Sequence, residues 1–200
     1  MDTVLKYLLP SYFVFYLLIA FFLPSYRTWK QTGVNPYKFG QTAGVHDFVG
    51  LLFRLTLIAC LGVIACYSFL PTAYQYLTPI AWLQHSTFVT LGLGLLVFSL
   101  LWTLVAQAQM GRSWRIGIDT SHKTELVQTG IFHLSRNPVF LGMRLTLLGV
   151  FFLLPNAVSF AIVVVGDLLI QIQVRLEEEF LAKTHGELYR KYCEKTRRWI

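Results

Sequence analysis

The sequence predicts an all-α polytopic membrane protein with five transmembrane helices, a C-terminal helical hairpin and a cytoplasmic amphipathic tail helix. Of its 200 residues, 55% are apolar and only 14% are charged. This composition excludes a disordered chain and argues against an ordinary soluble domain. Several apolar runs reach the ~20 residues that a helix needs to cross a bilayer. The basic residues collect between these runs, as they do in the loops of membrane proteins.

The net charge of +7 points to a lipid partner in this setting. A soluble basic protein can bind nucleic acid, but the basic loops of a membrane protein face anionic lipid. We therefore expect contact with membrane lipid and no nucleic-acid partner. The three cysteines and five histidines form no spacing typical of a metal site or a disulfide framework, so we predict no metal.

The first three apolar runs predict an N-terminal three-span membrane region over residues 1–106. They extend from about Leu5 to Leu23, from about Phe48 to Leu70, and from Ile80 or His85 to Ala106. The first run is too long for a signal peptide, and no small-x-small cleavage site follows it. The Gly92-Leu93-Gly94 sequence in the third run lacks the third glycine of a dinucleotide fingerprint. Such small residues favour close approach of membrane helices.

Residues 107–200 are predicted to form a second region, which consists of a cytoplasmic loop, a helical hairpin and a tail. The fourth run extends from about Pro138 to Leu154 and the fifth from about Asn156 to Val174. A connection this short predicts an antiparallel hairpin. Pro155 ends the fourth helix and Asn156 is typical of an N-cap for the fifth. We expect the fifth helix to continue past Arg175 and a short amphipathic helix to follow.

Charge placement predicts the orientation in the membrane. Lysines and arginines lie in the first loop, the third loop and the tail, whereas the second loop and the Pro155 turn contain none. With five spans, all three basic segments fall on one side. The positive-inside rule then places the N-terminus outside and the C-terminus in the cytoplasm.

Two charged residues fall inside the predicted hairpin. Arg144 lies 11 residues before Pro155 and Asp167 lies 12 residues after it, so an antiparallel hairpin places them at nearly the same depth. Charges inside a bilayer are usually paired or functional. We predict either a structural ion pair or a role for Arg144 in holding a ligand carboxylate.

The same counting brings two polar motifs together at the membrane surface. Arg136 and Asn137 come level with Glu177 and Glu178, at ~1.5 Å per helical residue. Three consecutive glutamates are often a solvated face. Opposite an arginine, however, they indicate a group that binds a hydroxyl or an ammonium. His133 precedes Arg136 by three residues and either lines this site or is an interfacial loop histidine.

Four sequence motifs resemble those of the isoprenylcysteine carboxyl methyltransferase and phospholipid methyltransferase family of integral membrane enzymes. The resemblance covers about Gln109 to Trp199. The motifs are Gly130-Ile131-Phe132, then Arg136-Asn137-Pro138-Val139-Phe140-Leu141-Gly142, then Glu177-Glu178 with Leu181, and finally Gly186, Tyr189 and Tyr192. The family has histidine where this chain has Asn137, and tyrosine where it has Phe140. Asn137 still donates and accepts hydrogen bonds, and Phe140 keeps the ring without the hydroxyl.

The resemblance implies that S-adenosylmethionine binds at the cytoplasmic end of the last two spans. The residues implied to line the cofactor site are Gly130, Phe132, His133, Arg136, Asn137, Pro138, Phe140, Gly142, Glu177 and Glu178. The implied reaction is methyl transfer to a lipophilic or small-molecule acceptor, first of all the carboxylate of an isoprenylcysteine-like substrate. Arg144 and Arg136 are the candidate catalytic residues, because either can orient the acceptor anion.

Several other functions stay open at this point. Within methyl transfer, the acceptor can also be a phospholipid amine or a small thiol. An NADPH-dependent membrane reductase of the sterol type is a second class, but the chain has no arginine-rich phosphate cluster beyond Arg112 and Arg115. A non-catalytic membrane protein is a third class, and it leaves the ordered motifs unexplained.

Overall fold

The computed structural model describes residues 2–40, 44–122 and 124–200. Within these ranges the chain forms helices, turns and two isolated β-bridges, and it contains no β-strand. The all-α prediction is confirmed. The α-helices are α1 Asp2–Leu17, α2 Leu23–Thr32, α3 Val45–Phe69, α4 Pro71–Gln75, α5 Ser86–Met110, α6 Pro138–Leu153, α7 Ala157–His185 and α8 Glu187–Lys195. A π-helical segment, Leu18–Phe22, joins α1 to α2.

Among the described residues, four helical segments are long and apolar enough to cross a membrane. They are Thr3–Thr32, Val45–Phe69, Ser86–Ser113 and Ala157–His185. The fourth predicted span, α6, is apolar but has only 16 residues. At ~1.5 Å per residue it is about 24 Å long, shorter than the ~30 Å hydrocarbon core. The prediction of a polytopic membrane protein is confirmed, and α6 is shorter than the four spanning segments.

Helix α6 packs most extensively along α5, and glycine makes this close approach possible. A Cβ atom on Gly92 would lie 2.9 Å from the backbone oxygen of Gly149, too close for any larger residue. The packing role predicted for Gly92 is therefore confirmed. Gly94 differs, since a Cβ atom there would meet only open space. The other principal contacts join α7 to α3 and α6, and α1 to α3.

The hairpin turn forms as predicted. Helix α6 ends at Leu153, and the Asn156 side chain accepts a hydrogen bond of 2.9 Å from the Ser159 amide as the N-cap of α7. The Ser159 hydroxyl in turn accepts from the Asn156 amide, which completes a capping box. The second loop packs on this turn through a bond from the Ile80 amide to the Pro155 carbonyl. We call this region the turn end.

The opposite end of the bundle contains the basic segments, and we call it the basic end. Helix α7 has 29 residues and is about 43 Å long, so it exceeds the ~30 Å hydrocarbon core. After Gly186 the chain turns into α8, which buries Tyr189 and Tyr192. The Tyr192 hydroxyl donates a hydrogen bond of 2.5 Å to the Phe132 carbonyl. The tail therefore folds back on the segment that precedes α6.

Candidate functional site

A cavity of about 450 Å³ opens between α1, α3, α6 and α7, at their basic end. Its walls are mostly apolar and unusually aromatic. The aromatic lining residues are Phe13, Tyr16, Phe21, Tyr37, Phe39, Phe53, Trp114, Phe132 and Phe140. The lining continues along the spans to Cys60, Leu147 and Gly166. A hydrocarbon chain fits such walls, because its burial there removes apolar surface from water.

The polar end of the cavity is formed by two side chains of α7. Gln173 and Glu177 both line it, and Gln173 donates a hydrogen bond of 2.9 Å to Glu177 Oε1. Gln173 is 1% exposed, and its Oε1 atom has no hydrogen-bond partner among the described residues. Within the same residues, the bond from Gln173 is the one that the Glu177 carboxylate accepts. Unused acceptors in a buried, mostly apolar cavity are suited to a polar, positively charged ligand.

Glu178 lies beside Glu177 in sequence but has a saturated carboxylate. Its Oε1 atom accepts from Arg136 Nη2 at 3.1 Å and from Asn137 Nδ2 at 3.1 Å. Its Oε2 atom accepts from Arg198 Nη2 at 2.7 Å and from Arg198 Nε at 3.0 Å. We call Arg136, Asn137, Glu178 and Arg198 the Glu178 network. The predicted meeting of Arg136 and Asn137 with Glu178 is therefore present.

The tail residues complete the support of Arg136. Arg136 Nη1 donates to the Thr196 carbonyl at 2.8 Å, and the Arg136 amide donates to the Arg197 carbonyl at 3.0 Å. The Ser135 hydroxyl donates to the Arg198 carbonyl at 3.1 Å. Since Arg136 also lines the cavity, the tail fixes one of the cavity walls.

A second cluster of charged residues, from the first and third loops, lies beside the cavity. The buried Asp119 carboxylate lies 3.0 Å from Lys38 Nζ and 3.2 Å from Arg115 Nε. Burial raises the Asp119 pKa, but the hydrogen bonds from Lys38 and Arg115 outweigh it and hold that pKa at about 2. The Lys38 amide also donates to the Ile116 carbonyl at 2.9 Å. The first and third loops are thereby joined next to the lining residues Tyr37 and Arg115.

The ion pair predicted from residue counting is present inside the hairpin. Arg144 Nε lies 2.6 Å from Asp167 Oδ1. The guanidinium also stacks on the Trp199 ring, with Arg144 Cζ 4.6 Å from the ring centroid. Arg144 does not belong to the cavity lining. Its contacts fit the structural alternative for this pair.

The predicted site residues divide into two groups by position. Those that line the cavity are Phe132, Arg136, Asn137, Pro138, Phe140 and Glu177. Those that lie outside the lining are Gly130, His133, Gly142, Glu178 and Arg144. Gly130 has a φ of +62° and lies against the Gln109 side chain, and Gly142 lies against Thr103 on α5. His133 is exposed at the end of a short 3₁₀ helix.

Sequence reasoning missed residues from outside the motifs. The first two spans and their loop contribute much of the cavity wall, including Tyr37, Phe39 and Arg54. No site role is predicted from the sequence for Arg198 or Trp199, yet Arg198 contacts Glu178 and Trp199 contacts Arg144. The available signal was an arginine next to a tryptophan in the tail, after a hairpin that contains charged residues.

The family of the protein follows from a comparison of its sequence with known protein families. The sequence profile of the family described as phospholipid methyltransferase matches residues 87–188. That match covers half of the chain, from the start of α5 into α8. The chain belongs to this family. It is therefore an integral membrane protein of a methyltransferase family, a class that generally uses S-adenosylmethionine. No curated protein matches the chain.

Proposed function

We propose that the protein transfers a methyl group from S-adenosylmethionine to a lipophilic acceptor, with its basic end and C-terminus in the cytoplasm. The observation that carries this proposal is one cavity with two kinds of wall. Glu177 and Gln173 lie at its polar end, and most of the remaining lining is aromatic or aliphatic, with Arg54, Arg115, Arg136 and Asn137 as its other main polar members. A charged cofactor and a lipid chain need such walls next to each other.

The residues at the polar end fit S-adenosylmethionine. The bound cofactor would supply an electrophilic methyl group on a sulfonium. Glu177 would bind its ammonium or a ribose hydroxyl, and the unpaired Gln173 Oε1 would accept a further hydrogen bond. Phe132 and Phe140 would offer ring surfaces for the adenine. The Glu178 network would hold Arg136 and Asn137 in place as the neighbouring wall.

The acceptor we favour is the carboxylate of a prenylcysteine-like lipid. A carboxylate oxygen forms its bond to the methyl carbon as the carbon–sulfur bond breaks, so no residue has to remove a proton. The protein then acts by positioning both partners and excluding water from the cavity. Of the two arginines predicted to orient the acceptor anion, Arg136 lines the cavity and Arg144 does not, so Arg136 would form part of the wall beside the acceptor while it stays paired with Glu178.

A phospholipid amine is the second candidate acceptor, and the description of the matched family favours it. An ammonium has to lose a proton before its nitrogen attacks carbon. Glu177 would accept that proton, because its carboxylate faces the cavity and has a single hydrogen-bond donor among the described residues. Methylation of the nitrogen would then give a product that is stable to base.

The test uses the protein purified in detergent. Calorimetry with S-adenosylmethionine and with NADPH should give binding of the first and none of the second. Labelled cofactor with a prenylcysteine analogue should then yield a base-labile methyl ester, and phosphatidylethanolamine in a parallel reaction tests for base-stable label. Binding of NADPH in place of S-adenosylmethionine would overturn the proposed function. If the label appears only on the phospholipid and is stable to base, the acceptor is the phospholipid amine and not the carboxylate.

A further inference from the structure

Three arginines line the cavity, and they differ in how their charge is balanced. Arg115 is paired with Asp119 at 3.2 Å, and Arg136 is paired with Glu178 at 3.1 Å. Arg54 lies on α3, in the first half of the chain, and has no carboxylate within 4.0 Å among the described residues. The cavity therefore contains one arginine whose charge the described part of the chain does not neutralise.

The Arg54 guanidinium is nevertheless held in a defined position. Its Nε atom donates to the Tyr37 hydroxyl at 2.8 Å, its Nη2 atom donates to the same oxygen, and its Cζ atom lies 5.3 Å from the Tyr37 ring centroid. These contacts use one edge of the guanidinium. Its Nη1 atom has no acceptor among the described residues. A planar fork with free donors matches the geometry of a carboxylate or a phosphate.

The position of Arg54 in a membrane helix makes an unbalanced charge unusual. Arg54 comes nine residues after Val45, where α3 begins, or about 13 Å along the helix axis. Arginine at such positions tends to be paired or to mark the path of a substrate. Arg54 is an exposed residue, and Phe53 and Leu57 beside it in the cavity lining are apolar. The Glu177 carboxylate lines the same cavity but forms no ion pair within 4.0 Å with Arg54.

We propose that Arg54 binds an anionic group of the lipophilic acceptor and so makes the enzyme selective for lipids that carry a carboxylate or a phosphodiester. This inference rests on the proposed function and names the chemistry of its substrate. The anion is a carboxylate in a prenylcysteine-like acceptor and a phosphodiester beside the amine in a phospholipid. Arg54 lies outside residues 87–188, so the N-terminal spans would supply acceptor selectivity to the motifs of the family.

The experiment measures binding and turnover separately. Quenching of tryptophan fluorescence reports binding of a prenylcysteine analogue with a free carboxylate and of the matching neutral carboxamide. Wild type should bind the carboxylate about 10- to 100-fold more tightly, and Arg54→Gln should abolish that preference, since a charge-assisted hydrogen bond has this strength. Arg54→Lys should keep part of the preference for the carboxylate, because lysine keeps the positive charge but lacks the planar, two-donor geometry of the guanidinium. Lys30→Gln is the matched control, an exposed basic residue of α2 outside the cavity lining.

A second arm identifies the source of the anion. If turnover of phosphatidylethanolamine falls at least 10-fold in Arg54→Gln while Lys30→Gln keeps it, the bound anion is the phosphodiester. An unchanged carboxylate preference together with unchanged phospholipid turnover would overturn the inference and leave Arg54 as a contact to bulk lipid headgroups. Calorimetry with S-adenosylmethionine separates the two proposals, because Arg54→Gln should bind the cofactor as wild type does. If the wild-type protein itself does not bind S-adenosylmethionine, the proposed function is refuted instead.

Discussion

Glu177 and Glu178 are neighbours in sequence, but they belong to two regions with opposite character. The Glu178 carboxylate accepts hydrogen bonds from Arg136, Asn137 and Arg198 and has both oxygens occupied. The Glu177 carboxylate faces the cavity and, within the described part of the chain, accepts one bond, from Gln173. The Glu178 carboxylate is fully hydrogen-bonded within the protein, whereas the Glu177 carboxylate can still accept hydrogen bonds from a ligand.

This difference separates positioning from binding within a single motif. A helix turns by about 100° per residue, so consecutive side chains of α7 face different neighbours. Glu179 completes the series on the outside, where it pairs with Lys183 at 2.6 Å and is largely exposed. The solvated-face interpretation of the three glutamates is thus correct for Glu179 alone. Four substitutions test the contrast, beginning with the largest expected effect.

Glu178→Ala should have the largest effect on stability. It leaves the Arg136 and Arg198 charges without a carboxylate, and breaking such a buried pair costs about 3 kcal/mol. Urea unfolding in detergent measures this loss. Cofactor binding, measured by calorimetry, should disappear as well, because Arg136 and Asn137 lose their common acceptor. Retained binding with unchanged stability would contradict the structural role of the network.

Glu177→Gln should show the opposite behaviour. It removes the negative charge from the cavity and keeps the shape of the side chain. We expect affinity for S-adenosylmethionine to fall about 10- to 100-fold, as for the loss of a charge-assisted hydrogen bond. Thermal stability should stay unchanged, since Glu177 accepts only the bond from Gln173 within the described chain. Wild-type affinity in this variant would refute the assignment of Glu177 as the cofactor-binding carboxylate.

Arg198→Gln tests how much the tail contributes to the Glu178 network. Two bonds to Glu178 Oε2 are lost, but the Arg198 side chain is 36% exposed and solvent screens its charge. We expect a loss of about 1 kcal/mol in the free energy of unfolding, with Arg136 still paired to Glu178. A loss as large as that of Glu178→Ala would mean that the tail, and not Arg136, is the main partner.

Glu179→Gln should have the smallest effect and is the control for both neighbours. Its i,i+4 pair with Lys183 is on the surface, where such pairs contribute little. The midpoint of thermal unfolding and the cofactor affinity should both match wild type. A clear loss of affinity here would show that general charge at this end of α7, and not the cavity position of Glu177, governs binding.

Local signals were sufficient to predict most of the fold. Run lengths and the Pro155-Asn156 turn predicted the helices and the cap, and counting from the turn predicted the Arg144–Asp167 pair. These features depend on residues close in sequence or on the simple geometry of a hairpin. The sequence could not show that Gly92 and not Gly94 packs against α6, because this depends on the rotation of α5 about its own axis.

The candidate site was less predictable from sequence than the fold. The motif residues Arg136, Asn137 and Glu178 do meet, but which glutamate faces the cavity depends on the rotation of α7. The contributions of Tyr37 and Arg54 depend on how the first spans pack, and periodicity carries no information on that arrangement. The division at residue 106 stays a prediction, although both halves line the cavity.

The contact between Arg136 and the tail also has a consequence for biosynthesis. Arg136 donates a hydrogen bond to the Thr196 carbonyl, 60 residues later in the chain, and Glu178 accepts hydrogen bonds from Arg198. Because synthesis runs from the N-terminus, α6 and α7 are complete before the tail residues that contact Arg136 and Glu178 have been made. Premature termination before residue 196 would release a protein with all its apolar helices and an unfinished site. Such a product would be a natural target for membrane quality control.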